Sequence, residues 1–135
     1  MPPITPRLPT GTSNTKPTTK ALGQQAEDWA LAHLQQAGMQ LVQRNYRTPG
    51  RGGGEIDLIV RDPQGTLVFV EVRRRNTRQF GGGAASVTWA KQKRLIFAAR
   101  FYLKRLTHLP ACRFDVVEVG PEQTLNWLQG AFEGG

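Results

Sequence analysis

Gly54-Glu55-Ile56-Asp57-Leu58-Ile59-Val60-Arg61, then Asp62-Pro63-Gln64-Gly65-Thr66, then Leu67-Val68-Phe69-Val70-Glu71-Val72-Arg73. Two β-branched runs flank a short polar stretch with proline early and glycine late, which is the composition of two strands joined by a tight turn. Centring the turn on Gln64 places Asp57 opposite Glu71 and Glu55 opposite Arg73. Side chains alternate along a strand, so Ile56, Leu58, Val60, Val68, Val70 and Val72 then form one apolar face, while Glu55, Asp57, Glu71 and Arg73 share the other.

Two carboxylates placed opposite each other repel. At an effective dielectric near 20 the cost is roughly 4 kcal/mol at about 4 Å. A hard divalent cation, Mg²⁺ or Mn²⁺, removes that repulsion with oxygen ligands, and magnesium is commonly held by one or two protein carboxylates and several waters. Neighbouring arginines or a raised carboxylate pKa compensate equally well, so the pair alone also fits a plain hairpin with a polar face.

Charge placement bears on the choice. The formal net charge is +8, and between Arg44 and Arg113 fifteen Lys or Arg surround only four acids, Glu55, Asp57, Asp62 and Glu71. Such a surface attracts a polyanion with strong salt dependence, although high charge also serves solubility alone. Arg73, Arg74, Arg75 and Arg78 begin at the strand end beside the carboxylates, where guanidinium forks suit phosphate oxygens. Carboxylates ringed by arginines favour a phosphodiester as substrate.

Around the hairpin, apolar spacing predicts a helix over 20–37, with Gly38 as its terminating glycine and Glu27 at the edge of the apolar stripe, able to reach what the helix packs on. His33 falls in that stripe and reads as a packing residue. Leu41 to Tyr46 reads as a strand and is followed by a connection with Gly50, Gly52, Gly53 and Gly54. Ser86 is placed to cap a second helix running to about Leu106, with Val87, Ala90, Leu95, Ala98, Ala99 and Tyr102 among its apolar positions and Lys91 on its polar side. Cys112 to Val119 and Leu125 to about Phe132 supply two more strands. The order predicts a single α/β domain, a mixed sheet of about five strands with flanking helices.

Residues 1–20 hold five of the nine prolines and too little apolar surface to order a chain, so they read as a flexible N-terminal arm ahead of a domain spanning 21–135. One cysteine, Cys112, excludes an intrachain disulfide and reads as a half-buried thiol in a strand. No apolar run is long enough to span a bilayer and no signal peptide is evident, so the expectation is a cytoplasmic protein with no membrane partner. Trp29, Trp89 and Trp127 read as core or interface packing, and Asp115 as a structural acid paired with Arg113 or Arg100.

The blocks Gly54-Glu55-Ile56-Asp57-Leu58-Ile59 and Leu67 to Arg73 resemble those of the UPF0102 (YraN-like) family. Gly23 with Glu27, Arg44-Asn45-Tyr46, Phe80-Gly81, Lys91, Arg113-Phe114-Asp115 and Ala131-Phe132 extend the likeness over about residues 20 to 133. That family is similar in fold to Holliday-junction resolvases and to the PD-(D/E)xK nuclease superfamily. The resemblance implies a restriction-endonuclease-like fold and a metal-dependent endonuclease acting on nucleic acid, DNA above RNA, as a homodimer. It implies a catalytic set of Glu27, Asp57, Glu71 and Arg73, with Mg²⁺ or Mn²⁺ held by Asp57, Glu71, Glu27 and the Val72 carbonyl. Arg73, Arg74, Arg75, Arg78 and Lys91 would hold phosphate, with Glu55 either supporting a second metal or pairing with Arg73. The superfamily's lysine falls on Arg73, and an always-protonated guanidinium is a poor general base. A nucleic-acid-binding protein that does not cut is therefore the alternative, followed by a structural or regulatory protein whose basic surface contacts an acidic partner.

Overall fold

The computed structural model describes residues 18–76 and 87–134. Most of the expected N-terminal arm, Arg78, Phe80-Gly81 and the expected cap Ser86 lie outside them. The elements are α1 (Thr19–Gln36), β1 (Gln40–Arg47), β2 (Glu55–Arg61), β3 (Leu67–Arg74), α2 (Trp89–Leu103), β4 (Cys112–Val119), a short 3₁₀ turn (Pro121–Gln123) and β5 (Leu125–Phe132). Helix α1 starts inside the expected arm because Thr18 caps it, its Oγ1 accepting from the Ala21 N–H at 3.0 Å. Thr88 does the same for α2, accepting from Lys91 N–H at 3.2 Å, so Val87 precedes that helix and is buried beneath it.

One mixed sheet runs in the order β1-β2-β3-β4-β5. The first three strands and the β4–β5 pair are antiparallel, while β3 and β4 are parallel and joined through α2. This five-stranded sheet with a helix against each face is the α/β restriction-endonuclease-like arrangement. Leu58, Val60, Val68 and Val70 face α1 and pack with Ala26, Ala30, Leu31 and Leu34. Ile59, Leu67 and Phe69 face α2 and pack with Leu95, Ala98, Ala99 and Tyr102. The central strands are thus apolar on both sides, as a sheet covered by two helices requires.

The β2–β3 register is the expected one: Leu58 pairs with Val70, Ile59 with Phe69, Val60 with Val68 and Arg61 with Leu67. Ile56 departs from the expected face. It packs in the α2-side core with Tyr46, its partner on β1. The cause lies in Asn45, which has φ 49° in the left-handed region that asparagine tolerates better than most residues. Arg44 before it reaches Asp28 on α1, whereas Tyr46 after it packs edge-on against Tyr102 on α2 at 5.3 Å. Two residues that should share a face therefore point to opposite ones.

Three further expectations are corrected. His33 is exposed, lying edge-on to Trp127 at 6.1 Å, because the helix's buried side centres on Ala30 and Leu34. Cys112 is exposed, since it opens β4 before the strand enters the core. Of the core-or-interface reading of Trp89 only the core half falls, the ring being 68% exposed on the solvent side of α2. Asp115 is structural, gripped by Arg113 at 3.0 and 3.2 Å, with Trp127 Nε1 and Gly130 N also donating to it. Among the described residues no helix is long and apolar enough to cross a membrane.

Candidate metal and phosphate site

The pairing of β2 with β3 stops at Leu58 and Val70, one residue short of the two acids. There Asp57 replaces the ladder with its side chain, Oδ2 accepting from Val72 N–H at 2.8 Å. Glu71 is buried, next in sequence to the Val72 that binds Asp57, and the two carboxyls lie close enough for each to shift the titration of the other. Lys91, on the first turns of α2, places Nζ 3.4 Å from Glu71 Oε1.

Electrostatics follow from this crowding. Burial pushes the Glu71 carboxyl up to about 8, the charge of Asp57 adds to the rise, and Lys91 opposes it. Asp57 is also raised, first by burial, against the lowering effects of the Val72 N–H, Glu71 and Lys91. On α1, Glu27 is pushed up to about 7 by burial and then by Asp57, with Arg44 opposing. Its Oε1 is buried with no hydrogen-bond partner among the described residues, the Arg44 guanidinium standing off at 3.9 Å.

A buried carboxyl beside a half-buried one is stabilised by a retained proton, by a basic neighbour such as Lys91, or by a bound cation. Among the described residues no three His, Cys, Asp or Glu converge as a metal cluster. A pair of carboxylates completed by water nonetheless suits magnesium or manganese, and the unpartnered oxygen of Glu27 offers an acceptor to such a water. The donor set fits a hard divalent cation on these grounds.

The family model described as "Uncharacterised protein family UPF0102" matches residues 26–119, which contain α1 from Ala26 through the end of β4. The chain belongs to the UPF0102 family. A UPF0102 protein of Albidiferax ferrireducens is 63% identical over 118 residues, covering 86% of this chain and 90% of the relative. One of Paracidovorax citrulli is 60% identical over 120 residues, covering 89% and 88%. One of Cupriavidus taiwanensis is 57% identical over 121 residues, covering 90% and 89%.

In this UPF0102 chain the basic residues divide between the two sides of the sheet. Arg73 is half-buried and Arg74 exposed at the end of β3. Arg74 and Arg75 line a cavity of about 610 Å³ beside α1, with Trp29 and Pro121 among its walls. Arg75 turns to the buried Glu118, its Nε donating at 2.5 Å, an attachment that the run of arginines in the sequence does not reveal. Glu55 pairs with Arg47 at 3.6 Å, rather than with the expected Arg73.

On the α2 side Lys91 joins Arg47 and Arg94 around a hollow of about 330 Å³, floored by the Thr48–Gly54 connection. Arg47 and Arg94 were missed by sequence reasoning, and the glycines ahead of β2 were the available signal. Gly54 lets α2 come this close, because a Cβ there would stand 2.1 Å from the Arg94 carbonyl oxygen. Thr48 ties the connection shut, its Oγ1 accepting from Gly54 N–H at 2.9 Å.

Proposed function

We propose that this protein is a metal-dependent phosphodiesterase acting on nucleic acid, an endonuclease-like member of its family with DNA as the preferred substrate. The observation that carries the reading is that Asp57, held on the Val72 N–H at 2.8 Å, and the buried Glu71, approached by Lys91 at 3.4 Å, come together where β2 and β3 part. Asp57 and Glu71, with Glu27 and the Val72 carbonyl, would hold a Mg²⁺ or Mn²⁺ ion. Such an ion supplies an activated water and neutralises charge developing on the phosphoryl oxygens. The chain's own groups do the rest. Arg47, Lys91 and Arg94 bind phosphate in the hollow beside the acids, and Lys91 sets an ammonium where the superfamily lysine's charge is needed. Arg73 adds fixed positive charge at the strand end without taking up a proton.

Arg73 also supports a second reading, a protein that binds nucleic acid without cutting it. A cleavage screen over single-stranded, duplex, flap and four-way-junction DNA, with RNA counterparts, separates the two. Wild type with Mn²⁺ is expected to cut at least one substrate and the D57N variant none, and equal cutting by both refutes the enzyme. Calorimetric titration with Mn²⁺ is run in parallel. Site binding is expected in wild type and absent from D57N and E71Q, and undiminished binding in both variants refutes the metal centre.

A further inference from the structure

We propose that the solvent face of α2 is a stacking platform for unpaired bases, so that the nucleic acid bound by this protein carries a single-stranded segment. The inference rests on the nucleic-acid reading above and adds the kind of strand. At about 3.6 residues per turn, positions 89, 93, 97, 100 and 104 fall on one side of the helix. They are Trp89, Lys93, Phe97, Arg100 and the C-cap Lys104, two aromatics among three cations, and α2 contains no acid. Trp89 is 68% and Phe97 52% exposed, while the opposite side of the helix buries Leu95, Ala98, Ala99 and Tyr102.

Single exposed apolar residues are ordinary on protein surfaces. What distinguishes this face is that one of its exposed aromatics, Trp89, has a cation already beside it. Lys93 Nζ lies 5.2 Å from the Trp89 ring centroid. Arg100, though on the same side of the helix by position, donates to the Gly134 carbonyl beyond β5 at 3.2 Å. Flat exposed rings stack bases without regard to sequence, and interleaved cations meet the phosphates between them. Because α2 carries no acid, any partner on this face has to supply the negative charge itself, which a phosphate backbone does along its whole length.

Trp89 is the first residue of α2, two residues before Lys91, whose ammonium approaches Glu71. At about 100° per residue the two stand about 200° apart round the helix, so the platform and the Arg47, Lys91 and Arg94 hollow lie on different sides of α2, and a strand that reaches both passes round the helix. Paired bases in a duplex present no free faces to these rings, so the contact selects for an unpaired strand.

The test uses the full chain in metal-free buffer, which prevents cutting. Fluorescence anisotropy measures binding of oligothymidylate and of a blunt duplex of equal length to wild type, W89F and W89A/F97A. The double variant should bind the single strand about tenfold more weakly, the scale of losing one stacked base, while duplex affinity changes little. W89F should keep the affinity and lose the tryptophan quenching that oligothymidylate causes in wild type. Both variants change exposed side chains, and circular dichroism checks that they fold. Unchanged single-strand affinity in W89A/F97A, or an equal loss for duplex, overturns the platform and leaves the nucleic-acid reading standing. Failure of wild type to bind either oligonucleotide at low salt overturns both. Binding to phosphatidylserine vesicles that needs Trp89 and Phe97, without oligonucleotide binding, assigns the face to a membrane surface and also overturns the proposal.

Discussion

Asn45 on β1 falls opposite Asp57 on β2, between the Arg44–Leu58 and Tyr46–Ile56 pairs, and its φ of 49° reverses the facing of the strand at that point. The reversal lets Arg44 oppose the charge of Glu27 from the α1 side while Tyr46 closes the core under α2. Asp57 therefore sits at a kink, where β2 has left β3 but still follows β1. Its carboxyl is free of the regular alternation and takes the Val72 N–H that a backbone carbonyl would otherwise accept.

This kink yields the first prediction. A β-branched residue in the left-handed region costs about 1–2 kcal/mol, whereas glycine adopts it without a steric cost. Asn45→Val should lower unfolding free energy by about that amount in urea denaturation, and Asn45→Gly should stay within about 0.5 kcal/mol of wild type. Equal stability of the valine variant would show that the backbone at position 45 is not constrained.

The hairpin was readable from sequence because two β-branched runs, a turn and two facing acids all agree on one register. The order of elements, one mixed sheet and the two covering helices were readable as well, the helices from their plain apolar spacing, whereas the order of strands within the sheet was not. Asn45 was not readable. Nothing in local composition marks a left-handed residue inside a strand, and its consequence for Ile56 depends on the partner strand. Arg75 failed for a similar reason. In sequence it is one of a basic run, and only the parallel register, which sets Arg73 beside Glu118 and Arg74 beside Val119, brings the buried acid within its reach. The α2 hollow was hidden because Arg47 and Arg94 belong to elements far apart in the chain, brought together by a close approach at Gly54.

The raised carboxyl of Glu71 predicts a pH dependence of stability. Its folded value is pushed up to about 8 from an ordinary 4.5, chiefly by burial. Between those values the folded chain holds a proton that the unfolded chain has released, so stability falls as pH rises through that window. In metal-free buffer the wild-type Tm should drop from pH 5 to pH 8, and E71Q, which cannot ionise there, should drop less. At pH 8 a gain of about 1 kcal/mol would put E71Q roughly 4–8 °C above wild type. Parallel melting curves for the two proteins across the window would remove Glu71 as the source. Mn²⁺ favours the ionised pair, so it should raise the wild-type Tm most at pH 8 and leave E71Q almost unmoved.

Arg75 separates a structural arginine from a phosphate-binding one. Glu118 has no exposed surface, and its carboxylate is held by Arg75 at 2.5 Å and by Asn126 Nδ2 at 3.2 Å. Removing one partner of a buried ion pair leaves the other charged and unanswered, at a cost of about 3–5 kcal/mol. Arg75 is partly open to solvent, so the lower end applies, and R75A should lose about 3 kcal/mol in chemical denaturation. The double variant R75A/E118Q should recover part of that loss, because the stranded charge is gone. R74A, changing an exposed neighbour, should leave stability within about 0.5 kcal/mol and weaken oligonucleotide binding with a shallower salt dependence. If R75A instead remains as stable as wild type and loses oligonucleotide affinity as R74A does, Arg75 is a phosphate ligand and its bond to Glu118 is incidental to folding.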